Sequence, residues 1–257
     1  MKCNISVKKS FRSIFRQPHY VKKLIIGGVF SLLTTLFVNL YAFLYLPTVL
    51  KNIALAILVL TVGVLGVAAH FLITCLLMGY NIKFVHNTIN NNEEILPCWS
   101  NFKGLFITGA KWLAISIVYF IGVIVVSVVL TAFCMIPCSY FPVLSFLFLI
   151  PTAFIVVASA TLPLLETMFA HNLEINDAFN LVRAKDLIVD NFWQYLMLLV
   201  ITFGIYLLAV IPYAISAVTI VGTILIPFLA FIVKLLVRNL FAQFYKSVTE
   251  RENVPNE

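Results

Sequence analysis

The residues that could carry chemistry in this chain are few, and most of them interrupt long apolar runs. His70 and Asn39 each stand within such a run. Glu166 stands in the segment "LPLLETMFAHN", and Lys234 and Arg238 follow four residues apart in the last run. An ionisable or strongly polar group inside a membrane marks a ligand, ion or proton pathway by default. These five residues are therefore predicted to form an intramembrane polar site. The alternative for each is a hydrogen bond between two helices.

The three charged members of this group suggest an ion pair. A charge at the bilayer centre costs about 2.5–3.5 kcal/mol on insertion scales. Pairing Glu166 with Lys234 or Arg238 would lower that cost and would join the fourth apolar run to the sixth. The alternative is that the three side chains extend separately to the membrane surface.

Cysteine chemistry is restricted to one pair. Cys134 and Cys138 flank Met-Ile-Pro between two apolar runs, on the predicted outer side, where disulfides persist. Pro137 is expected to break the helix between them, so a disulfide is one interpretation and two separate buried thiols are the other. The other cysteines show no CxxC spacing or pairing with histidine, which predicts no metal site.

No catalytic motif is present. The sequence holds no GxSxG, HExxH or P-loop segment, so neither an enzymatic activity nor a cofactor is predicted. The favoured function is that of a non-enzymatic membrane partner or envelope-organising protein. The alternative is a small-molecule transporter or channel that uses His70, Glu166 and the proline-interrupted runs. A membrane-embedded lipid-modifying enzyme ranks third.

Composition places the chain in a membrane. Of its 257 residues 62% are hydrophobic and 11% are charged, whereas soluble domains average about 45–50% and 25%. The net charge of +7 comes from scattered basic residues, which argues against a nucleic-acid partner. The first apolar run is too long for the apolar part of a signal peptide and lacks a clean cleavage site, so it is expected to be retained.

The apolar runs predict an all-α, polytopic bundle of six transmembrane helices, since about 20 apolar residues cross a bilayer. Three hairpins, about 24–78, 106–168 and 192–240, make up a membrane domain over residues 24–240. A basic interfacial arm, residues 1–23, precedes it, and a cytoplasmic tail, residues 241–257, follows. The six spans are 24–47, 53–78, 106–133, 141–168, 192–214 and 217–240. Residues 212–222 fit either a loop or a re-entrant segment.

Charge asymmetry predicts the orientation. With six spans, all but one of the 17 Lys and Arg residues fall on one side, the exception being Lys51. Cytoplasmic loops are enriched in Lys and Arg, so both termini are predicted to be cytoplasmic. The protein is expected in the cytoplasmic membrane of a prokaryotic cell, with the lipid bilayer and its anionic headgroups as partners. A membrane-protein partner is also expected.

Aromatic lead segments precede the hairpins. They read "SFRSIFRQPHYVKK", "LPCWSNFKGLFITGAKW" and "INDAFNLVRAKDLIVDNFW". Each is predicted to form a cytoplasmic interfacial helix, with Trp99, Trp112 and Trp193 as anchors at headgroup depth. Asn176 or Asp177 is the expected N-cap of the third lead helix.

Several segments together resemble a known family. "SFRSIFRQPHYVKKLIIGGVFSLL", "GYNIKFVHNTINNNEEILPCWSNFKGLFITGAKWLAISIVYF", "DAFN…DNFWQYL" and "RNLFAQFYK" are similar to the domain-of-unknown-function family 4013. The resemblance covers about residues 10–246 and implies a multi-pass membrane fold, often archaeal, with no known activity. The family tends to have an acidic run after Leu-Pro-x-Trp, where this chain has Ser-Asn-Phe-Lys. That difference argues against a cation site there.

Overall fold

A computed structural model describes residues 5–44, 53–140 and 142–252 of the chain. Within these ranges the regular structure is helical. A 3₁₀ segment, Pro142–Phe148, joins the fourth α-helix to the fifth. The α-helices are α1 Val7–Phe15, α2 Tyr20–Leu44, α3 Ile53–Ile89, α4 Phe102–Tyr140, α5 Leu149–Asn172, α6 Ile175–Ala178, α7 Leu181–Asp190, α8 Phe192–Ala217 and α9 Ile220–Glu252.

Six of these helical segments are long and apolar enough to cross a membrane. They belong to α2, α3, α4, α5 with its preceding 3₁₀ turn, α8 and α9. The prediction of an all-α bundle with six spans is therefore confirmed. Several helices exceed the roughly 20 residues that a bilayer requires, so their ends extend beyond the hydrocarbon layer.

The central helix is α9, which packs against α1, α2, α3, α5 and α8. The last turns of α9 hold α1 in place, because the Ser6 backbone N–H donates to Gln243 Oε1 at 3.1 Å. Both ends of the described chain therefore lie at one end of the bundle. That end consists of α1, residues 90–101 and the last turns of α3, α5 and α9, and is called the charged end below.

Exposed apolar side chains locate the lipid-facing belt. On α4 such side chains continue from Ile117 to Ile136, a length of about 30 Å at 1.5 Å per residue. That length matches the hydrocarbon core of a bilayer. Large buried side chains instead gather toward the charged end, among them Tyr80, Phe84 and Phe169. The protein core therefore lies partly within the apolar layer of the membrane and partly outside it, toward the charged end.

Two glycines let α3 and α4 cross backbone to backbone. A Cβ atom on Gly79 would lie 1.7 Å from the Leu105 carbonyl oxygen. A Cβ atom on Gly109 would lie 1.8 Å from the Cys75 carbonyl oxygen. Small residues at such crossings allow the close van der Waals packing that holds membrane helices together.

Four predicted boundaries need correction. The second lead segment is not a separate helix, because its residues 102–112 form the first turns of α4 and its residues 96–101 are not helical. The same helix passes through Pro137 to Tyr140, so the proline does not break it as expected. Residues 241–252, predicted as part of a tail, continue α9, and Phe241, Ala242, Phe244, Tyr245 and Val248 among them are buried. The 212–222 segment is not re-entrant, because α8 ends at Ala217 and α9 begins at Ile220.

The third lead segment is broken into two helices. Asn180 caps α7 by accepting a hydrogen bond from the Arg183 backbone N–H at 3.0 Å. The predicted N-caps, Asn176 and Asp177, lie instead inside the single turn of α6. An asparagine at the N-cap satisfies an amide that the helix start leaves free, which favours a new helix at residue 181.

Candidate functional site

A polar cavity of about 410 Å³ lies between α2, α3 and α9. Two of its lining residues are cations from the middle of α9, and the hydroxyl, imidazole and amide groups come from α2 and α3. Its polar lining residues are Thr34, Thr35, His70, Thr74, Asn81, Lys234 and Arg238.

Helical spacing explains why these groups meet. His70, Thr74 and Asn81 follow one another at intervals of four and seven residues, so they share one face of α3. They span about 16 Å along the helix axis. Lys234 and Arg238 are one turn apart on α9 and face the same space. The cavity therefore runs from the lipid-facing belt toward the charged end.

The Arg238 guanidinium is paired with Glu166 of α5. Its Nε donates to Glu166 Oε1, and its Nη2 donates to Glu166 Oε2 at 3.3 Å. The side chains are only 20% and 11% exposed, respectively, so solvent screens this pair weakly. The structure thus places the sequence-predicted partners together and selects Arg238, not Lys234, as the partner of Glu166.

Lys234 supplies the uncompensated charge of the cavity. Among the described residues its ammonium group has no ion-pair partner within 4.0 Å, and its side chain is exposed at the cavity. It also lines a smaller cavity of about 160 Å³ beside Glu166 and Tyr206. Because Glu166 neutralises Arg238, the net positive charge of the larger cavity is that of Lys234.

Asn81 offers an unused acceptor. This side chain is 5% exposed, and its Oδ1 has no hydrogen-bond partner within the part of the chain that the structure describes. Buried polar atoms normally have partners, so an orphaned one beside a cavity indicates a place for a bound group or water. The residues predicted from the sequence did not include Asn81, Thr34 or Thr35. The signal for Asn81 was its helical register with His70.

His70 lies at the apolar end of the cavity, with its ring edge-to-face against Phe37 at a centroid distance of 6.5 Å. The structure therefore brings four of the five predicted site residues into one connected region: His70, Glu166, Lys234 and Arg238. The side chain of Asn39 lies outside the described residues, and its role stays a prediction.

Two of the three predicted tryptophan anchors are instead core residues. Trp99 stacks on Tyr80 at 4.2 Å between ring centroids, and its indole N–H donates to the Lys23 carbonyl oxygen at 3.0 Å. Trp112 stacks on Phe169 at 5.7 Å. Both are buried, whereas an interfacial anchor must face lipid. Trp193 is 78% exposed, and its anchoring role stays a prediction.

Lys23 holds the segment 90–101 against the bundle. Its ammonium donates to the Leu96 carbonyl oxygen at 2.7 Å and to Glu94 Oε2 at 3.0 Å. The hydrogen bond and the positive charge of Lys23 hold the pKa of Glu94 below its usual range. The stabilisation from ionised Glu94 is therefore present at neutral pH and is lost as the pH falls through that lowered pKa.

Neighbouring tyrosines satisfy carbonyls near the proline of α5. Pro163 lacks the N–H that would bond one turn back. In that turn the Tyr119 hydroxyl donates to the Ala158 carbonyl oxygen at 2.7 Å, and the Tyr195 hydroxyl donates to the Ala160 carbonyl oxygen. These two carbonyls flank that of Ser159, the residue to which an N–H at position 163 would donate.

The predicted disulfide stays a prediction. The Cys134 thiol donates to the Leu147 carbonyl oxygen at 3.3 Å, and the side chain of Cys138 lies outside the described residues. Within the part of the chain that the structure describes, no group of three or more His, Cys, Asp or Glu residues is placed to hold a metal ion.

Six long apolar helices, three of which line a charged cavity, define a multi-pass α-helical membrane protein with room for a small ligand. Residues 62–221 match the family model described as "Protein of unknown function (DUF4013)", and the chain belongs to that family. The matched range contains His70, Asn81 and Glu166 and ends before Lys234 and Arg238 of α9. Comparison with curated proteins and with solved structures found no match.

Proposed function

We propose that this protein is a non-enzymatic membrane transporter that binds a small oxyanion in the cavity between α2, α3 and α9. The observation that carries the proposal is the ammonium of Lys234, which has no ion-pair partner among the described residues and lines a cavity of about 410 Å³. A cation in the membrane-spanning part of a helix is costly unless a counter-ion or water reaches it. A bound anion would supply that counter-ion.

The remaining lining groups suit an oxyanion that also carries a hydroxyl group. The hydroxyl of Thr74 can donate to an anionic oxygen, whereas the hydroxyls of Thr34 and Thr35 already donate to the Ser31 carbonyl oxygen. Asn81 Oδ1 can accept from the ligand's own hydroxyl, which would satisfy the orphaned atom. Hydrogenphosphate and hydroxycarboxylates have this combination of charge, acceptors and donor.

This cavity favours transport over the membrane-partner role that the sequence favoured. A partner that acts through its apolar helix faces requires no charged cavity. The lining instead supports the alternative use of His70 and Glu166 in a transporter. Co-purification of a stoichiometric membrane protein in mild detergent would restore the partner role.

Replacing Lys234 with methionine should abolish most anion binding while leaving the fold intact. A hydrogen bond to a charged group contributes about 1.5–3 kcal/mol, so the affinity should fall at least about tenfold. Titration calorimetry of the full chain in mild detergent, with inorganic phosphate and then malate as probes, measures the change. Lys103→Met is the matched control, because Lys103 is exposed on α4 and does not line the cavity.

Two outcomes would contradict the transport proposal. One is that the wild-type protein binds neither probe, and the other is that the Lys234→Met and Lys103→Met variants bind equally. Where binding is confirmed, uptake of labelled phosphate or malate into vesicles that contain the protein separates a transporter from a binding protein.

We further propose that the charged end faces the cytoplasm. The support is the excess of basic residues in the segments that meet there. A C-terminal fluorescent protein should fluoresce and a C-terminal alkaline phosphatase should stay inactive, since each folds on only one side of a bacterial inner membrane. An active phosphatase fusion would reverse the orientation.

A further inference from the structure

A second cavity, about 680 Å³, lies between α4, α5 and α7. Its walls are apolar and include Val126, Phe154 and Ile188. The Tyr119 hydroxyl in the lining is already hydrogen-bonded to the Ala158 carbonyl oxygen and Thr161 Oγ1, both at 2.7 Å. These polar atoms of the groove are therefore satisfied within the protein.

The groove lies at the edge of the lipid-facing belt nearest the charged end. Its α4 side begins at Val118, close to Ile117, where the exposed apolar side chains of that helix begin. Its other side is α7, a short helix that buries Ala184 and Leu187 and exposes Lys185, Asp186 and Asp190. A groove in this position is adjacent to lipid headgroups on one side and to acyl chains on the other.

One cation stands at the rim. Lys185 is the charged residue of the groove lining, is exposed, and has no ion-pair partner within 4.0 Å among the residues that the structure describes. Asp186 and Asp190 lie on the same helix but do not line the groove. An apolar groove whose lining includes one such ammonium group matches an apolar chain with an anionic head.

We propose that this groove binds one acyl chain of an anionic phospholipid, whose phosphate pairs with Lys185. The apolar walls remove the chain from solvent, and the ammonium supplies the charge preference that an apolar groove alone lacks. A peptide segment fits less well, because its backbone N–H and C=O groups would find few free partners in this lining.

Gly122 leaves the space for the chain. A Cβ atom at this position would have no atom within 4 Å, although the residue lines the groove. A leucine there would occupy the groove without colliding with the protein backbone. The position therefore allows the groove to be closed while the helix packing stays unchanged.

Native mass spectrometry of the full chain in mild detergent tests the proposal, with added phosphatidylglycerol and phosphatidylcholine as probes. The wild-type protein should retain phosphatidylglycerol preferentially. Lys185→Gln should weaken phosphatidylglycerol retention about five-fold and leave phosphatidylcholine unchanged. Gly122→Leu should lose both lipids, and Lys103→Gln should match the wild type. Val157→Trp is the second groove-filling variant, since Val157 is 62% exposed and lines the groove.

Each alternative result overturns the proposal. Unchanged phosphatidylglycerol retention by Lys185→Gln would show that Lys185 does not bind the lipid phosphate. If folded Gly122→Leu and Val157→Trp variants retain both lipids, the lipids do not bind in this groove. A lipid-free dimer that either variant dissociates would assign the groove to a second copy of the chain. The phosphate and malate titrations use the other cavity, so the two proposals fail separately.

Discussion

Replacing Gly109 with alanine should destabilise the protein by about 1–3 kcal/mol, the range expected for overpacking in a tightly packed interior. The added Cβ atom would lie 1.8 Å from the Cys75 carbonyl oxygen and 2.7 Å from the Gly79 backbone nitrogen. Both contacts are backbone atoms, so no side-chain rotation relieves them. The helices α3 and α4 must separate, which removes the close packing along their crossing.

Gly204→Ala is the control for this variant. It lies in membrane-spanning α8, and an added Cβ atom would have no atom within 4 Å. Because alanine is a better helix former than glycine, the free energy of unfolding of the control should equal that of the wild type or exceed it by up to about 1 kcal/mol. Unfolding in detergent, followed by intrinsic fluorescence, compares the variants. Equal stability of the Gly109→Ala and Gly204→Ala variants would contradict the close crossing.

Gly79→Ala should have a similar effect, since its Cβ atom would lie 1.7 Å from the Leu105 carbonyl oxygen. The Gly79→Ala, Gly109→Ala double variant should lose less stability than the sum of the losses of the two single variants. Once one alanine has separated the helices, the second meets less resistance, and residues at a shared contact are not additive. Fully additive losses would show that the two glycines act at independent places.

Replacing Glu166 with glutamine should lower the free energy of unfolding by about 3–5 kcal/mol. This is the usual loss of stability when one partner of a buried ion pair is removed. The Arg238 guanidinium, with its side chain 20% exposed, would keep its charge without the carboxylate. The double variant Glu166→Met, Arg238→Met removes both charges and should recover most of that loss, because apolar residues replace buried pairs at little cost.

The same variant should change ligand binding in the opposite direction. Without Glu166 the cavity gains the charge of Arg238 in addition to that of Lys234, so phosphate should bind more tightly to folded Glu166→Gln protein. Unfolding measurements and phosphate titrations on the same preparations test both effects. If Glu166→Gln has the wild-type stability, or if the double methionine variant is less stable than the single variant, the ion pair does not stabilise the bundle.

The amino-acid sequence by itself determined the class of this protein. Six apolar runs of bilayer length exclude a soluble fold. In lipid no water is available to hydrogen-bond an irregular backbone, so each such run must form a regular structure, and hydropathy alone is enough to locate it. It also indicated the pairing of Glu166 with Arg238 or Lys234. A charged side chain within an apolar run raises the free energy of insertion unless it is paired or reaches water. The helical period then limits which charges can lie on facing sides of two helices.

Only the tertiary structure decided which apolar residues face protein and which face lipid. Trp99 and Trp112 are buried and Trp193 is exposed, although all three look alike in sequence. In a soluble protein an apolar residue indicates the core, but in a membrane both the core and the outer surface are apolar. The polar cavity and the acyl-chain groove depend on that distinction, because side chains from separate helices form them. Hydropathy gives each residue's preference for lipid or water and contains no information about which helices meet.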